Sequence, residues 1–358
     1  MEIQSIDHIE LFVEDAERTA ARLCDAYGFA LRGRGGPETG LAGCRSLLLR
    51  QGEITLLVTS ALGEGHRAAE YVARHGDGVA VIALAVPDAQ AAFAEAVERG
   101  ALPVAPPDVL GPDDGQVTFA SVYGFGDVEH RFTSRRSPDA GFAPGAVTEF
   151  ADPPAATGGL LAVDHIAVCV PAGELDEAVR RYQDVFGFDQ IFEERILVGA
   201  QAMDSKVVEN PTGQVTLTIL EPDTTLSPGQ IDEFVAAHDG AGVQHLAFLT
   251  ADIAASVRES TAGGVRFLTT PSGYYDALPG RLGALDVPLE TLRELSILAD
   301  RDRWGIMLQI FTESEHPRRT LFYELIDRRG ARTFGGNNIK ALYEAIERQR
   351  FSDQARQV

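Results

Sequence analysis

The sequence predicts an α+β protein with helices laid on sheets. Three observations carry that prediction: a strand-like segment followed by a helical one recurs four times, short strands follow each helix, and the second half of the chain repeats the first. The repeat is plainest where Ile6-Asp7-His8-Ile9 is matched by Val163-Asp164-His165-Ile166.

The first unit opens near residue 5 and runs into a helical pattern over Ala16–Tyr27, closed by Gly28-Phe29. The second opens near residue 78 with Gly78-Val79-Ala80-Val81-Ile82-Ala83, and its helical pattern, 88–99, starts at Asp88, a residue suited to an N-cap. Segment 137–159 holds Pro138, Pro144, Pro153, Pro154, Gly141, Gly145, Gly158 and Gly159, a composition that favours a linker over a packed element. The third unit opens near residue 162, with a helical pattern over 174–186 closed by Gly187-Phe188. The fourth opens near 242 with Gly242-Val243-Gln244-His245-Leu246-Ala247, and its helix over 252–263 again starts at an Asp, Asp252. Ile339, Leu342, Tyr343 and Ile346 then recur at helical spacing within 337–350, which predicts an amphipathic C-terminal helix. The expected organisation is two domains, 1–136 and 161–358, joined by a linker over 137–160.

Composition bounds the function. The chain has 358 residues with 45% hydrophobic and 23% charged side chains, the make-up of a folded globular protein. With 31 Lys and Arg against 53 Asp and Glu, the formal net charge is −22. Such a surface repels phosphate backbones and anionic lipid, so neither nucleic acid nor membrane is an expected partner. Cys24, Cys44 and Cys169 form no Cys-x-x-Cys pair, which argues against a disulfide framework and a thiolate metal site. The N-terminal residues show no basic region leading into an apolar core, and the strongest apolar stretch, 79–86, is far short of the roughly 20 residues that span a bilayer. A cytoplasmic protein is expected.

Candidate chemistry begins on the strand over 161–170, where alternation puts Val163, His165, Ala167 and Cys169 on one face. A single histidine on such a face is ordinarily a hydrogen-bonded core residue. Here a second, His245, stands on the first strand of the next unit, where the N-terminal copy has Val81. Glu324 then interrupts the apolar run Leu321-Phe322-Tyr323-Glu324-Leu325-Ile326, at nearly the same spacing again. A buried carboxylate needs a cation, a hydrogen-bonded partner or a raised pKa. Two imidazoles and a carboxylate make the facial ligand set of non-haem Fe(II) oxygenases, and the same set holds Zn(II) or Mn(II). Two other readings stay open: Glu324 paired with an arginine such as Arg293, Arg301 or Arg303, or Glu324 on an exposed edge strand.

Over nearly its full length the chain resembles the vicinal-oxygen-chelate dioxygenases that act on 4-hydroxyphenylpyruvate. The segments that carry the resemblance are Val163-Asp164-His165, Gly240-Ala241-Gly242-Val243-Gln244-His245, Leu308-Gln309-Ile310-Phe311-Thr312, Thr320-Leu321-Phe322-Tyr323-Glu324 and Phe334-Gly335-Gly336-Asn337-Asn338-Ile339-Lys340-Ala341-Leu342. It implies tandem βαβββ modules in two open barrel-like domains. It also implies His165, His245 and Glu324 as ligands of one Fe(II) per chain, with 4-hydroxyphenylpyruvate and O2 as reactants. No separate 2-oxoglutarate is implied, because the substrate's own 2-oxo acid reduces O2. The N-terminal half keeps the fold without the site, and His8 is read there as a core or surface histidine. By family analogy the chain is a homo-oligomer.

Members of this family either migrate the side chain to form homogentisate or hydroxylate the benzylic carbon to form 4-hydroxymandelate. Homogentisate-forming members typically carry Pro and Asn where this chain has Thr218 and Leu220, and a Phe where it has Ile339. Replacing an amide by Leu removes donors and acceptors and leaves a more apolar wall. With 198–203, these departures resemble the 4-hydroxymandelate-forming branch, which implies a place in making hydroxyphenylglycine for antibiotics. The same resemblance puts Ser205, Thr218 and Gln309 against the substrate and Phe192, Phe334 and Tyr343 around it, with the C-terminal helix as a lid. Each also has a plain structural reading, as a satisfied strand hydroxyl, an edge Gln or a core aromatic. A reading from another class is a metal-free small-molecule-binding resistance protein of the same fold.

Overall fold

The computed structural model describes residues 1–283, 285–336, 338 and 340. The first unit is β1 (Ser5–Phe12), α1 (Ala16–Tyr27), β2 (Ala30–Gly35), β3 (Cys44–Gln51) and β4 (Ile54–Ala61). After α2 (Arg67–His75) comes the second: β5 (Gly78–Ala85), α3 (Ala89–Glu98), β6 (Pro103–Leu110), β7 (Val117–Phe125) and β8 (Val128–Arg135). A short β9 (Val147–Glu149) precedes the third, β10 (Leu160–Cys169), α4 (Leu175–Arg181), β11 (Asp189–Val198), β12 (Gln201–Glu209) and β13 (Thr216–Pro222). Then α5 (Gln230–His238) leads to the fourth: β14 (Gly242–Thr250), α6 (Ile253–Ala262), the inserted α7 (Ser272–Leu282) and α8 (Leu289–Glu294), and β15 (Leu298–Arg301), β16 (Ile306–Phe311) and β17 (Phe322–Arg329). The expected α+β class and the four βαβββ units are what the molecule contains.

Local chemistry explains the helix boundaries. Asp15, Asp88 and Asp252 cap α1, α3 and α6, each side chain accepting from a backbone N–H of the first turn. Gly28 closes α1 at φ 77°, a left-handed conformation that only glycine takes without strain. The expected helix over 174–186 is α4 followed by one π turn, which brings Tyr182, Val185 and Phe186 into the core together.

The strands form two curled half-barrels, of order β6-β7-β8-β5-β1-β4-β3-β2-β9 and β11-β12-β13-β10-β14-β17-β16-β15. In both, the first strands of two units pair antiparallel at the centre, β1 with β5 and β10 with β14. Each of those strands pairs in parallel with the last strand of its own unit. The two halves share an apolar core and meet through ring contacts: Tyr27 with Tyr323 at 5.2 Å, Phe29 with Phe248 at 6.0 Å, and His75 stacked on His238 at 4.4 Å.

The segment expected as a linker is packed. Its β9 pairs with β2, and Phe142, Ala143 and Val147 are buried against Leu48 and Leu57. Pro and Gly set the turns, but three apolar side chains find the inner face of the first half-barrel, and their burial fixes the segment. The C-terminal helix expected over 337–350, with Ile339 and Tyr343, lies outside the described residues apart from 338 and 340, which are helical. No helix among the described residues is long and apolar enough to cross a membrane.

His130 on β8 joins the halves through Nε2, 2.8 Å from the Tyr182 hydroxyl, inside a nest of aromatic rings. Burial pushes its pKa down to about 4. The unfolded chain takes up this proton near pH 6.5 and the folded chain does not, so stability is full above that pH and is lost as pH falls towards 4. A shift of this size is worth about 3 kcal/mol. Urea unfolding should therefore show a falling midpoint between pH 6.5 and 4, and His130→Gln, although less stable at pH 8, should lose less over that interval. An unchanged slope in the variant would refute the assignment.

Candidate metal centre

Three neighbouring strands converge their side chains over one alanine. The register pairs His165 with Ala247 and Ala247 with Glu324, and one row further Ala167 with His245. All three candidate ligands thus share the inner face of the β10-β14-β17 row, and the small Ala247 leaves the space into which they lean. Among the described residues, His165, His245 and Glu324 bring their ligand atoms within 4.8 Å of one another. Glu324 Oε2 lies 3.4 Å from His165 Nε2 and 3.3 Å from His245 Nε2. Ligands bound at about 2.1 Å on adjacent positions of one metal sit about 3 Å apart, so the donor set and its spacing fit a divalent ion.

The charges fit as well. Glu324 is 1% exposed. Burial opposes its ionisation, yet the two imidazoles hold its carboxyl below the usual range. Burial likewise opposes a charge on His165, and the carboxylates of Glu324 and Asp164 outweigh it, pushing that pKa up to about 9. Burial keeps His245 below its ordinary value despite Glu324. An environment that raises an imidazolium against its own desolvation is one that attracts a cation.

Neighbours fix the ligands. Asp164 Oδ1 lies 2.8 Å from His165 Nδ1, which holds one ring proton there, so that Nε2 is the nitrogen a metal would take by displacing the second proton. Arg328 grips Asp164 with Nε at 2.6 Å and Nη2 at 2.8 Å, donates to the Thr333 carbonyl and lies over the Phe334 ring. Gln309 donates from Nε2 to Glu324 Oε1 at 3.1 Å, leaving Oε2 turned towards the histidines. Glu324 is therefore met by His165, His245 and Gln309 rather than by an arginine, and β17 is interior rather than an edge. Gln309, 2% exposed, is not a solvated edge residue.

A tight cavity of about 40 Å³ adjoins the three ligands. Thr218 and Leu220 from β13, Gln309 and Phe311 from β16, Phe322 and Phe334 line it. Cavities that hold benzene are about 150 Å³, so an aromatic ligand enters with movement of this lining. Phe334 also lines an outer cleft of about 450 Å³ together with Phe192, whose ring is 6.3 Å away. Phe192 thus stands behind Phe334 rather than in the cavity wall. Ser205 is buried opposite Leu220 on the adjacent strand, on the same face but outside the lining. Ile339 and Tyr343 lie outside the described residues.

Sequence reasoning missed Gln230, Gln244, Phe311 and Phe322, which the structure adds to the lining. Alternation assigns Gln244 to the face opposite His245, but the pairing of β10 with β14 skips Gln244 at an irregularity between the pairs Ala167/His245 and Val168/Val243, and its Oε1 lies 3.2 Å from His245 Nδ1. Gln230 opens α5, remote in sequence from every ligand. Two buried polar atoms here have no protein partner, Thr218 Oγ1 and Gln230 Nε2. Buried polar groups are normally satisfied, so among the described residues these two keep hydrogen-bonding capacity for a water or a ligand.

The N-terminal half carries the same frame with a different centre. His8 Nδ1 lies 2.6 Å from Asp7, Asp7 is gripped by Arg135, and the Phe142 ring stands 4.8 Å from His8 as Phe334 stands 5.4 Å from His165. The register puts Val81 where the other half has His245 and Arg131 where it has Glu324. His8, fully buried, is a core histidine as expected. Arg131 Nη1 lies 3.2 Å from His8 Nε2 and 2.9 Å from Glu10 Oε2, so a fixed guanidinium sits beside the surviving histidine. Asp-His recurs visibly in the sequence, and it was the signal that could have revealed Asp164.

Two outcomes are expected. His165→Ala, His245→Ala and Glu324→Ala should each leave less than a tenth of the iron that the parent chain retains after gel filtration, measured by elemental analysis; a variant with full iron is not missing a ligand. Arg131→Met strands the buried Glu10 carboxylate and should cost about 3 kcal/mol in urea unfolding, with iron content unchanged.

Comparison with known proteins agrees with this geometry. Residues 7–119 and 164–281 match the glyoxalase/bleomycin resistance protein/dioxygenase superfamily. The chain is 35% identical over 354 residues to 4-hydroxyphenylpyruvate dioxygenase of Danio rerio, covering 95% of this chain and 89% of that one. It is 33% identical over 360 residues to the enzyme of the same name from Dictyostelium discoideum, covering 97% and 98%. A solved structure of a triple mutant of 4-hydroxymandelate synthase from Streptomyces coelicolor is 44% identical, with TM-score 0.90 over 98% of this chain and all of that one. The chain belongs to the glyoxalase/bleomycin resistance protein/dioxygenase superfamily, within its family of 4-hydroxyphenylpyruvate-linked dioxygenases.

Proposed function

We propose that this chain is an Fe(II)-dependent dioxygenase that converts 4-hydroxyphenylpyruvate and O2 into 4-hydroxymandelate and CO2. The observation that carries the reading is the buried His165-His245-Glu324 set facing an apolar cavity with two unpartnered polar groups. Iron, when bound, supplies the open coordination positions at which a 2-oxo acid and O2 meet, and decarboxylation of that 2-oxo acid provides the electrons.

The protein's part is to hold and aim. Thr218 Oγ1 and Gln230 Nε2 offer the substrate hydrogen bonds that nothing in the protein satisfies. Phe311, Phe322 and Phe334 supply ring-sized apolar walls, and an outward swing of Phe334 joins the cavity to the outer cleft and admits the substrate. With Phe334 closed, water is kept from the cavity beside His165, His245 and Glu324. Leu220 presents branched alkyl carbon to the cavity, so no side-chain amide at that position anchors the ring for attack on its carbon skeleton. The benzylic hydrogen is the group left within reach. Ser205 and Phe192 are assigned supporting roles around this pocket; the roles expected of Ile339 and Tyr343 fall outside the described residues. A cytoplasmic homo-oligomer that feeds hydroxyphenylglycine synthesis for antibiotics completes the reading.

A second reading rests on the names of the curated relatives, which are 4-hydroxyphenylpyruvate dioxygenases. In it the same ligands serve ring hydroxylation to homogentisate. The two products are isomers, so mass does not separate them and chromatography against both standards does. After anaerobic loading with Fe(II), 4-hydroxyphenylpyruvate and O2 should yield 4-hydroxymandelate with one CO2 per O2. Homogentisate would keep the metal centre and refute the role given to Leu220, and absence of O2 uptake would favour a metal-free binding protein.

A further inference from the structure

Glu324 is held by more than its immediate neighbour. Gln309 Nε2 donates to Glu324 Oε1 at 3.1 Å, Asn338 Nδ2 donates to Gln309 Oε1 at 3.0 Å, and the Tyr274 hydroxyl lies 2.7 Å from Asn338 Oδ1. The backbone N–H of Ala299 in turn donates to the Tyr274 oxygen at 2.8 Å. Glu324, Gln309 and Asn338 are 1%, 2% and 0% exposed, so water does not compete at the amide links, while Tyr274 at the outer end is half-buried.

The orientation of both amides follows from one end. A carboxylate only accepts, so the Gln309 amide must turn its NH2 towards Glu324 and its oxygen towards Asn338. Asn338 must then present its NH2 to Gln309 and its oxygen to Tyr274, whose single phenol proton is shared between that oxygen at 2.7 Å and the Ala299 carbonyl at 2.8 Å. Flipping either amide would set oxygen against oxygen. Such a one-directional chain polarises each member and permits one arrangement of the buried groups.

We propose, resting on the metal-centre reading above, that Tyr274 is a positioning residue: its hydroxyl, through Asn338 and Gln309, fixes the Glu324 carboxylate and so sets metal affinity and ligand geometry. The chain links β17, β16, the described residue 338, the inserted helix α7 and the edge strand β15. It gives α7 a task at the centre although that helix contributes nothing to the cavity lining. Tyr274→Phe keeps the ring and removes the hydroxyl, leaving Asn338 Oδ1 without its phenol donor and the Ala299 N–H without its acceptor.

The test is titration with Co(II) in place of iron, read by its visible d–d absorption, on the parent chain, Tyr274→Phe, Asn338→Ala, the double variant, and Tyr275→Phe as a control on the same helix. Tyr274→Phe should bind Co(II) about ten-fold more weakly with an altered d–d band, while the thermal midpoint without metal shifts by less than about 3 °C. Asn338→Ala should show the same loss and the double variant no further one, as expected of links in one chain. Tyr275→Phe should match the parent. Parent-like affinity and spectrum in Tyr274→Phe, or equal losses in Tyr274→Phe and Tyr275→Phe, would overturn the proposal. If the parent chain itself takes up no Co(II), the metal-centre reading fails and this proposal with it.

Discussion

Burying the carboxylate of Glu324 is the constraint around which the C-terminal half is arranged. A carboxylate at 1% exposure is stable only with positive charge and donors around it, and each of its partners comes from a different strand. His165 lies on β10, His245 on β14 and Gln309 on β16, while Glu324 itself lies on β17. Parallel pairing of β14 with β17 and antiparallel pairing of β10 with β14 put His165 and Glu324 in one row with Ala247, with His245 a row to one side and Gln309 a row to the other. A slip of one residue in any of these pairings would turn a ligand to the outer face.

The duplicated half answers the same constraint with a side-chain cation. It keeps the histidine, the aspartate on its Nδ1, the arginine that grips that aspartate and the aromatic ring that stands against the histidine. At the position of Glu324 it has Arg131, whose guanidinium meets His8 and Glu10. A covalently attached cation does the charge balancing, so the first half is a finished core and the second an open one. This also accounts for the packed segment that carries Phe142: it follows β8 as the segment carrying Phe334 follows β17, and both close a half-barrel over a histidine.

The cavity combines rigid holding of the ligands with few polar groups aimed at a substrate. Asp164 and Arg328 fix His165, Gln309 fixes Glu324, and Phe322 stacks on the His245 ring at 4.9 Å. Against that rigid floor, the unpaired Thr218 hydroxyl and Gln230 amide are the groups with hydrogen-bonding capacity to spare. Such a division suits chemistry in which the ligand set is constant and the orientation of the substrate decides the product.

Much of this was legible in the sequence. Period-two and period-3.6 patterns, Asp caps and closing glycines located the four units, because those signals are local and independent of the partner strand. Recurrence after one repeat singled out His165, His245 and Glu324, because a polar residue on an apolar strand needs a reason. Composition misread 137–159: proline and glycine report turns, but whether Phe142 and Val147 find a face to cover depends on the half-barrel they meet. The sequence by itself determined the α+β class and the duplication, and it singled out three candidate ligands. Only the tertiary structure decided that their donor atoms meet, that Gln230 joins them, that Arg131 fills the other half and that Tyr274 reaches Glu324 through two amides. Those facts depend on sheet curl, strand register and side-chain packing between segments far apart in the chain, and no local pattern encodes them.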